Sequence, residues 1–73
     1  MAKQTKKNFN RYVLKFENYG PDDSFDTDEL EVIARGTTAA VDKAVEVLIS
    51  IYPKHKFELF FLEKTEDDVN VAA

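Results

Sequence analysis

The stretch ELEVIARGTTAAVDKAVEVLISIYP, Glu29 to Pro53, decides the fold, because the period of its apolar residues changes at Gly36. Before that glycine Leu30, Val32 and Ala34 alternate with Glu31, Ile33 and Arg35, which is the period of a β-strand. After it, from Ala39 to Tyr52, the stripe Val41, Ala44, Val45, Leu48 and Tyr52 repeats at helical spacing, and Ala40, Val47 and Ile51 widen it. Thr37 or Thr38 can cap the helix by accepting from its first free N–H groups. Pro53 stops it, since the residue before a proline is driven out of the α region.

The flanks supply two more strands. Upstream, Arg11 to Tyr19 places Tyr12, Leu14 and Phe16 on one side and Lys15 and Glu17 on the other. Gly20-Pro21-Asp22-Asp23 is turn chemistry, so a loop over residues 20–28 is expected to join this strand to the one over residues 29–35. That loop is longer than a usual hairpin connection, a feature often tied to function. Downstream, Lys56 to Lys64 alternates Phe57, Leu59 and Phe61 with Glu58, Phe60 and Leu62. The order β-β-α-β then defines an α+β fold, a three-stranded antiparallel sheet of order 2-1-3 with one helix on one face, reached by a right-handed crossover. Its expected core is Tyr12, Leu14, Phe16, Leu30, Val32, Phe57, Leu59 and Phe61 against Val41, Ala44, Val45 and Leu48. The expected divisions are a flexible basic tail over 1–10, one domain over 11–64, and a disordered acidic tail over 65–73.

A chain of 73 residues is small for a self-sufficient core, and with no cysteine it has neither disulfide nor thiolate zinc to staple it. No apolar run reaches membrane-spanning length and the N-terminus has no hydrophobic leader segment, so a cytoplasmic location is expected. One helix covers one sheet face, which leaves Val13, Ile33, Phe60 and Leu62 on the other, with Val47 and Ile51 spare on the helix. Half-solvated sheets normally place polar residues there. These six residues are therefore the expected interface of a homodimer.

Charge is unevenly placed. The formal net charge is −4, yet Glu17, Asp22, Asp23, Asp26, Asp28, Glu29 and Glu31 put seven acids into residues 17–31 without one Lys or Arg. A segment of this kind is either a solvated loop or a surface offered to something basic. Enzyme chemistry is poorly supported. The only histidine, His55, lies between Lys54 and Lys56 in a short connection with no orienting carboxylate in sequence, and reads as a solvated connector. Asp22, Ser24, Asp26 and Asp28 alternate as in a calcium loop, but the sixth position holds Thr27 instead of Gly and the twelfth Ile33 instead of Glu. With only Gly20 and Gly36 in the chain there is no phosphate-binding glycine loop. Neither metal nor cofactor is expected.

A basic residue followed by Gly at Arg35-Gly36, one helix, and a last strand Lys-Phe-Glu-Leu-Phe-Phe-Leu-Glu-Lys give residues 11–64 an architecture that resembles the small dimeric uracil-DNA glycosylase inhibitors of bacteriophages. The resemblance implies a dimer that presents carboxylates in place of DNA phosphates, with an apolar pocket around the helices for the enzyme's probing leucine. That family's helix supplies aromatics to the pocket, whereas this one is aliphatic as far as Tyr52, and no family residue is carried over. The function expected is a non-enzymatic inhibitor that mimics DNA on a basic DNA-processing enzyme, in the host cytoplasm if phage-encoded. Its partner-binding residues would be Asp22, Asp23, Asp26, Asp28, Glu29, Glu31, Asp42 and Glu46, with Tyr19 and Phe25 as apolar anchors. The alternatives are a homodimeric adaptor using the apolar sheet face, and a single-strand nucleic-acid binder using Lys3, Lys6, Lys7, Phe9, Arg11 and Tyr12.

Overall fold

The computed structural model describes residues 9–69. They form strand β1 (Phe9–Tyr19), strand β2 (Phe25–Ala34), helix α1 (Thr37–Ile51) and strand β3 (Lys56–Val69). The sheet order is β2-β1-β3, and β1 runs antiparallel to both neighbours. Helix α1 packs over β2 and β1 and touches β3 little. Tyr12, Leu14 and Phe16 of β1 and Ala34 of β2 are buried against Ala40, Ala44 and Leu48 of the helix. The two alanines lie four residues apart on one helix face, and their lack of bulk lets the helix axis approach the sheet. Leu30, Val32, Val41, Val45, Tyr52, Phe57, Leu59 and Leu62 surround this centre.

The hairpin is tighter than the loop expected over residues 20–28. Strand β2 starts at Phe25, because Tyr19 pairs with Phe25, Asn18 with Asp26, Glu17 with Thr27 and Phe16 with Asp28. Cross-strand pairing overrides the turn preference of aspartate here. The remaining turn is Gly20–Ser24, closed by the Gly20 N–H donating to the Ser24 carbonyl at 2.9 Å, with Asp23 at φ 61°. The strand ends at Ala34. Arg35 lies outside it, and its guanidinium sits 5.6 Å from the centre of the Phe9 ring.

The helix begins at Thr37 with Gly36 as its N-cap, and no side chain caps it, so neither Thr37 nor Thr38 has the capping role expected of it. Its first bond runs from the Ala40 N–H to the Gly36 carbonyl at 3.0 Å.

The largest departure is in β3. Lys15 pairs with Phe61 and Phe16 with Leu59, so Phe60 is an extra residue, a β-bulge. An extra residue reverses the alternation beyond it. Phe61, expected in the core, points to the helix-free side and is 38% exposed, whereas Leu62, expected on that side, packs toward the helix. Two further register shifts follow, between Lys64 and Glu66 and between Glu66 and Val69, and the first of them returns Glu66 to the helix-free side opposite Arg11. The strand runs to Val69, so residues 65–69 are strand instead of disordered tail; residues 70–73 lie outside the described residues. At the other end Phe9 and Asn10 belong to β1, and residues 1–8 of the expected basic tail lie outside the described residues, Lys3, Lys6 and Lys7 among them. Among the described residues no helix is long and apolar enough to cross a membrane.

Candidate protein-docking face

Residues that pair directly across antiparallel strands share a face. The helix-free face of the sheet therefore carries Arg11, Val13, Lys15, Glu17 and Tyr19 of β1, flanked by Ile33, Glu31, Glu29, Thr27 and Phe25 of β2 and by Glu66, Glu63, Phe61, Glu58 and Lys56 of β3. Six of these fifteen side chains are glutamates and three are cations. On β2 Glu29 and Glu31 are two residues apart, a spacing of about 6.7 Å, and neighbouring strands lie about 4.8 Å apart.

The charges are partly tied to one another. Arg11 Nε donates to Glu66 at 3.0 Å and Arg11 also approaches Glu31 at 3.8 Å, bridging the two outer strands. Lys15 Nζ sits 4.8 Å from the centre of the Phe61 ring, a cation–π contact on the same face. Glu17 pairs across the sheet with Glu58, a like-charge pair, and accepts the Tyr19 hydroxyl proton at 2.6 Å. That hydrogen bond to Glu17, then desolvation and the charges of Glu17 and Glu58, raise the Tyr19 pKa above the ordinary 10.0. At the far end of β3, Lys64 binds Asp67 at 2.7 Å, and this hydrogen bond raises the lysine pKa above its usual range.

At the hairpin end of the face Tyr19 and Phe25 form an aromatic pair with centroids 5.3 Å apart, 39% and 58% exposed. An exposed aromatic pair rimmed by charge has the composition of a binding anchor.

The expected partner-binding residues do not converge. Glu29, Glu31, Tyr19 and Phe25 share the helix-free face, while Asp22 and Asp23 occupy the exposed turn. Asp26 and Asp28 alternate to the helix side, where Asp26 accepts from the Thr27 N–H at 2.9 Å. Asp42 and Glu46 are exposed on the helix, so the sheet separates them from Glu29 and Glu31. The face gains Glu17, Glu58, Glu63 and Glu66 instead. Alternation in sequence was a signal for Glu17 and Glu58, whereas the shifts in β3 concealed the side to which Glu63 belongs.

The expected dimer residues also scatter. Val13 and Ile33 are on the helix-free face, Phe60 is the bulge residue, Leu62 is on the helix side, and Val47 and Ile51 are exposed on the helix.

On the helix side one polar cluster links distant segments. Asn18 is 4% exposed; its Nδ2 donates to Asp28 at 2.8 Å and its Oδ1 lies 2.6 Å from His55 Nδ1. A carboxylate can only accept, so the amide NH2 must face Asp28, its oxygen faces His55, and the His55 proton sits on Nδ1. His55 is thus a half-buried structural link beside Tyr52, the two rings tilted with centres 4.9 Å apart, and not a solvated connector. Among the described residues no three His, Asp or Glu side chains are grouped as a metal site would need. Compared with protein-family models, with curated proteins and with solved structures, the chain matches none.

Proposed function

We propose that this chain is a non-catalytic binding module that docks its carboxylate-lined sheet face onto a basic protein surface of the kind that grips DNA. The observation that carries this reading is the gathering of Glu17, Glu29, Glu31, Glu58, Glu63 and Glu66 on one three-stranded face with the exposed Tyr19–Phe25 pair at its end. Spaced carboxylates can take the places of phosphates and speed encounter over about a Debye length, roughly 8 Å at physiological salt. The aromatic pair supplies what charge cannot, a desolvated anchor. The partner is a DNA-processing enzyme met in the cytoplasm, and the architecture makes uracil-DNA glycosylase the first one to try. Binding would block the enzyme by occupying its DNA groove, with no chemistry on either protein.

The test is titration of the full chain into purified uracil-DNA glycosylase and other DNA-repair enzymes, read by calorimetry and by activity at two salt concentrations. Inhibition that weakens with salt, with Glu29→Gln/Glu31→Gln and with Phe25→Ala supports the reading. Failure to bind any of them sinks it.

A further inference from the structure

Strand β2 is an edge of the sheet, paired only with β1, and its pairing runs without a bulge from Phe25 to Ala34. The turn sets which of its backbone groups face outward. Because the Gly20 N–H donates to the Ser24 carbonyl, the pairs Asn18–Asp26, Phe16–Asp28, Leu14–Leu30 and Tyr12–Val32 exchange hydrogen bonds, and Phe25, Thr27, Glu29, Glu31 and Ile33 turn their N–H and C=O groups away from β1. The chain's own side chains close both ends of this outward row. Asp26 Oδ1 accepts from the Thr27 N–H at 2.9 Å, and Lys43 Nζ reaches from α1 to the Ile33 carbonyl at 2.7 Å. Between those stops the backbone groups of Glu29 and Glu31 have no partner among the described residues. Natural edges are usually blunted by lysine, proline or a bulge, and this one has none of these between Phe25 and Ala34.

The two sides of the open window differ in chemistry. On the helix-free side stand the exposed carboxylates of Glu29 and Glu31. Lys15, opposite Glu29, is turned to the Phe61 ring, and Arg11 approaches Glu31 only at 3.8 Å while it bonds Glu66 at 3.0 Å, so neither carboxylate is closely paired. On the helix side Lys43, Val47 and Ile51 repeat every fourth residue along one flank of α1, and the bond from Lys43 to Ile33 sets that flank beside the β2 edge. After the short connection Arg35-Gly36 the helix runs back along β2. A four-residue helical step, about 6 Å, nearly matches a two-residue strand step, about 6.7 Å. Val47 and Ile51, 46% and 59% exposed, therefore come to about the levels of Glu31 and Glu29.

We infer that the β2 edge between Thr27 and Ile33 accepts an extended segment of another protein as a fourth strand, one in which Lys or Arg alternates with Val, Ile or Leu. The outward backbone groups of Glu29 and Glu31 bond the segment. Its cationic side chains lie on the helix-free side against the Glu29 and Glu31 carboxylates, and its apolar side chains lie on the helix side against Val47 and Ile51. A second copy of β2 does not suit the edge, because with no Lys or Arg between Phe25 and Ala34 it would set acids against acids. The stops at Asp26 and Lys43 limit the added strand to about five residues. This inference does not rest on the docking reading, since the edge takes such a segment whether or not the face meets an enzyme that grips DNA.

The test titrates the full chain with a capped synthetic peptide of about seven residues, lysine alternating with valine, read by calorimetry and by residue-resolved amide exchange. Expected is binding below about 1 mM, with the Glu29 and Glu31 amides gaining protection. N-methylating one alternate set of the peptide's amides should weaken binding about tenfold and methylating the other set should change it little, since only one set bonds the edge. Glu29→Gln/Glu31→Gln should weaken it about fivefold and Val47→Ser/Ile51→Ser about tenfold, with circular dichroism verifying that these exposed substitutions leave the fold intact. Absence of binding at about 1 mM overturns the inference. So do equal effects of the two methylation patterns, the mark of charge attraction alone. Protection of the Glu29 and Glu31 amides by raising protein concentration without peptide also overturns it, because a second copy would then be the occupant.

Discussion

His55 Nδ1 donates to Asn18 Oδ1 across 2.6 Å, joining the connection before β3 to the end of β1, 37 residues away in the chain. Through the other end of the same amide the link reaches Asp28 of β2. Asn18 is buried, so removing it strands two polar partners. Asn18→Ala is expected to cost about 1–3 kcal/mol in urea unfolding, and His55→Ala about 1 kcal/mol. Because the two side chains share one hydrogen bond, the double variant should cost clearly less than the two single losses added. Additive losses would show that the link contributes nothing.

The bulge at Phe60 makes a prediction about neighbours. Leu62→Ala should destabilise the fold by about 2–3 kcal/mol, since Leu62 packs toward the helix, while Phe61→Ala should cost less than about 1 kcal/mol in the monomer. Deleting Phe60 outright should be tolerated. Without it Leu59 and Leu62 fall two positions apart and alternate in phase on the helix side. Thermal denaturation of the deletion variant, expected within a few degrees of the parent, is the measurement. A collapse of its melting transition would show that the bulge is needed for more than phase.

Gly20 is required by close approach. A Cβ there would collide with Ser24 Oγ and lie 3.1 Å from His55 Cε1, and the ring is held in place by Asn18. Gly20→Ala is expected to lose about 1–2 kcal/mol through crowding, and Ser24→Ala in the same chain to recover part of that loss. Chemical denaturation of the three chains distinguishes this from a general intolerance of the turn.

Tyr19 provides a spectroscopic handle on the docking face. The proton it donates to Glu17 is held more tightly in the folded chain, so its pKa lies above the ordinary 10.0. A folded pKa raised above the unfolded value means that the contribution is fully present below pH 10 and is lost as pH rises through the folded pKa. Phenolate absorbance of the parent minus that of Tyr19→Phe should titrate above pH 10, and in Glu17→Gln the same difference should return toward it. Titration of Tyr19 at or below 10 in the parent would contradict the hydrogen bond.

Much of the fold was legible because its signals are local. The change of period at Gly36, the stop at Pro53 and the alternation in Arg11 to Tyr19 depend only on near neighbours, and they led to the order β2-β1-β3 with the helix on one face. What remained hidden depends on partners far along the chain. Asp26 and Asp28 have turn propensity in sequence but find cross-strand partners in Asn18 and Phe16, as Thr27 does in Glu17, which extends β2 by four residues from the expected Glu29 to Phe25. His55 has no carboxylate or amide beside it in sequence, yet its hydrogen-bond partner is Asn18, near the end of the middle strand. The expected acids divide between two faces for the same reason, since a hairpin register assigns alternate residues to opposite sides.

The sequence by itself determined the order of strands and helix, the segregation of acids into the hairpin, and the small apolar core centred on Tyr12, Leu14 and Phe16. The tertiary structure alone decided which side of the sheet the last strand's residues face. The extra residue at Phe60 is invisible to a reading by alternation, because alternation assumes one residue per pairing position and the bulge shows only in the pairing of β3 with β1. That one choice sends Phe61 and Glu63 to the face with the other glutamates and turns Leu62 toward the helix.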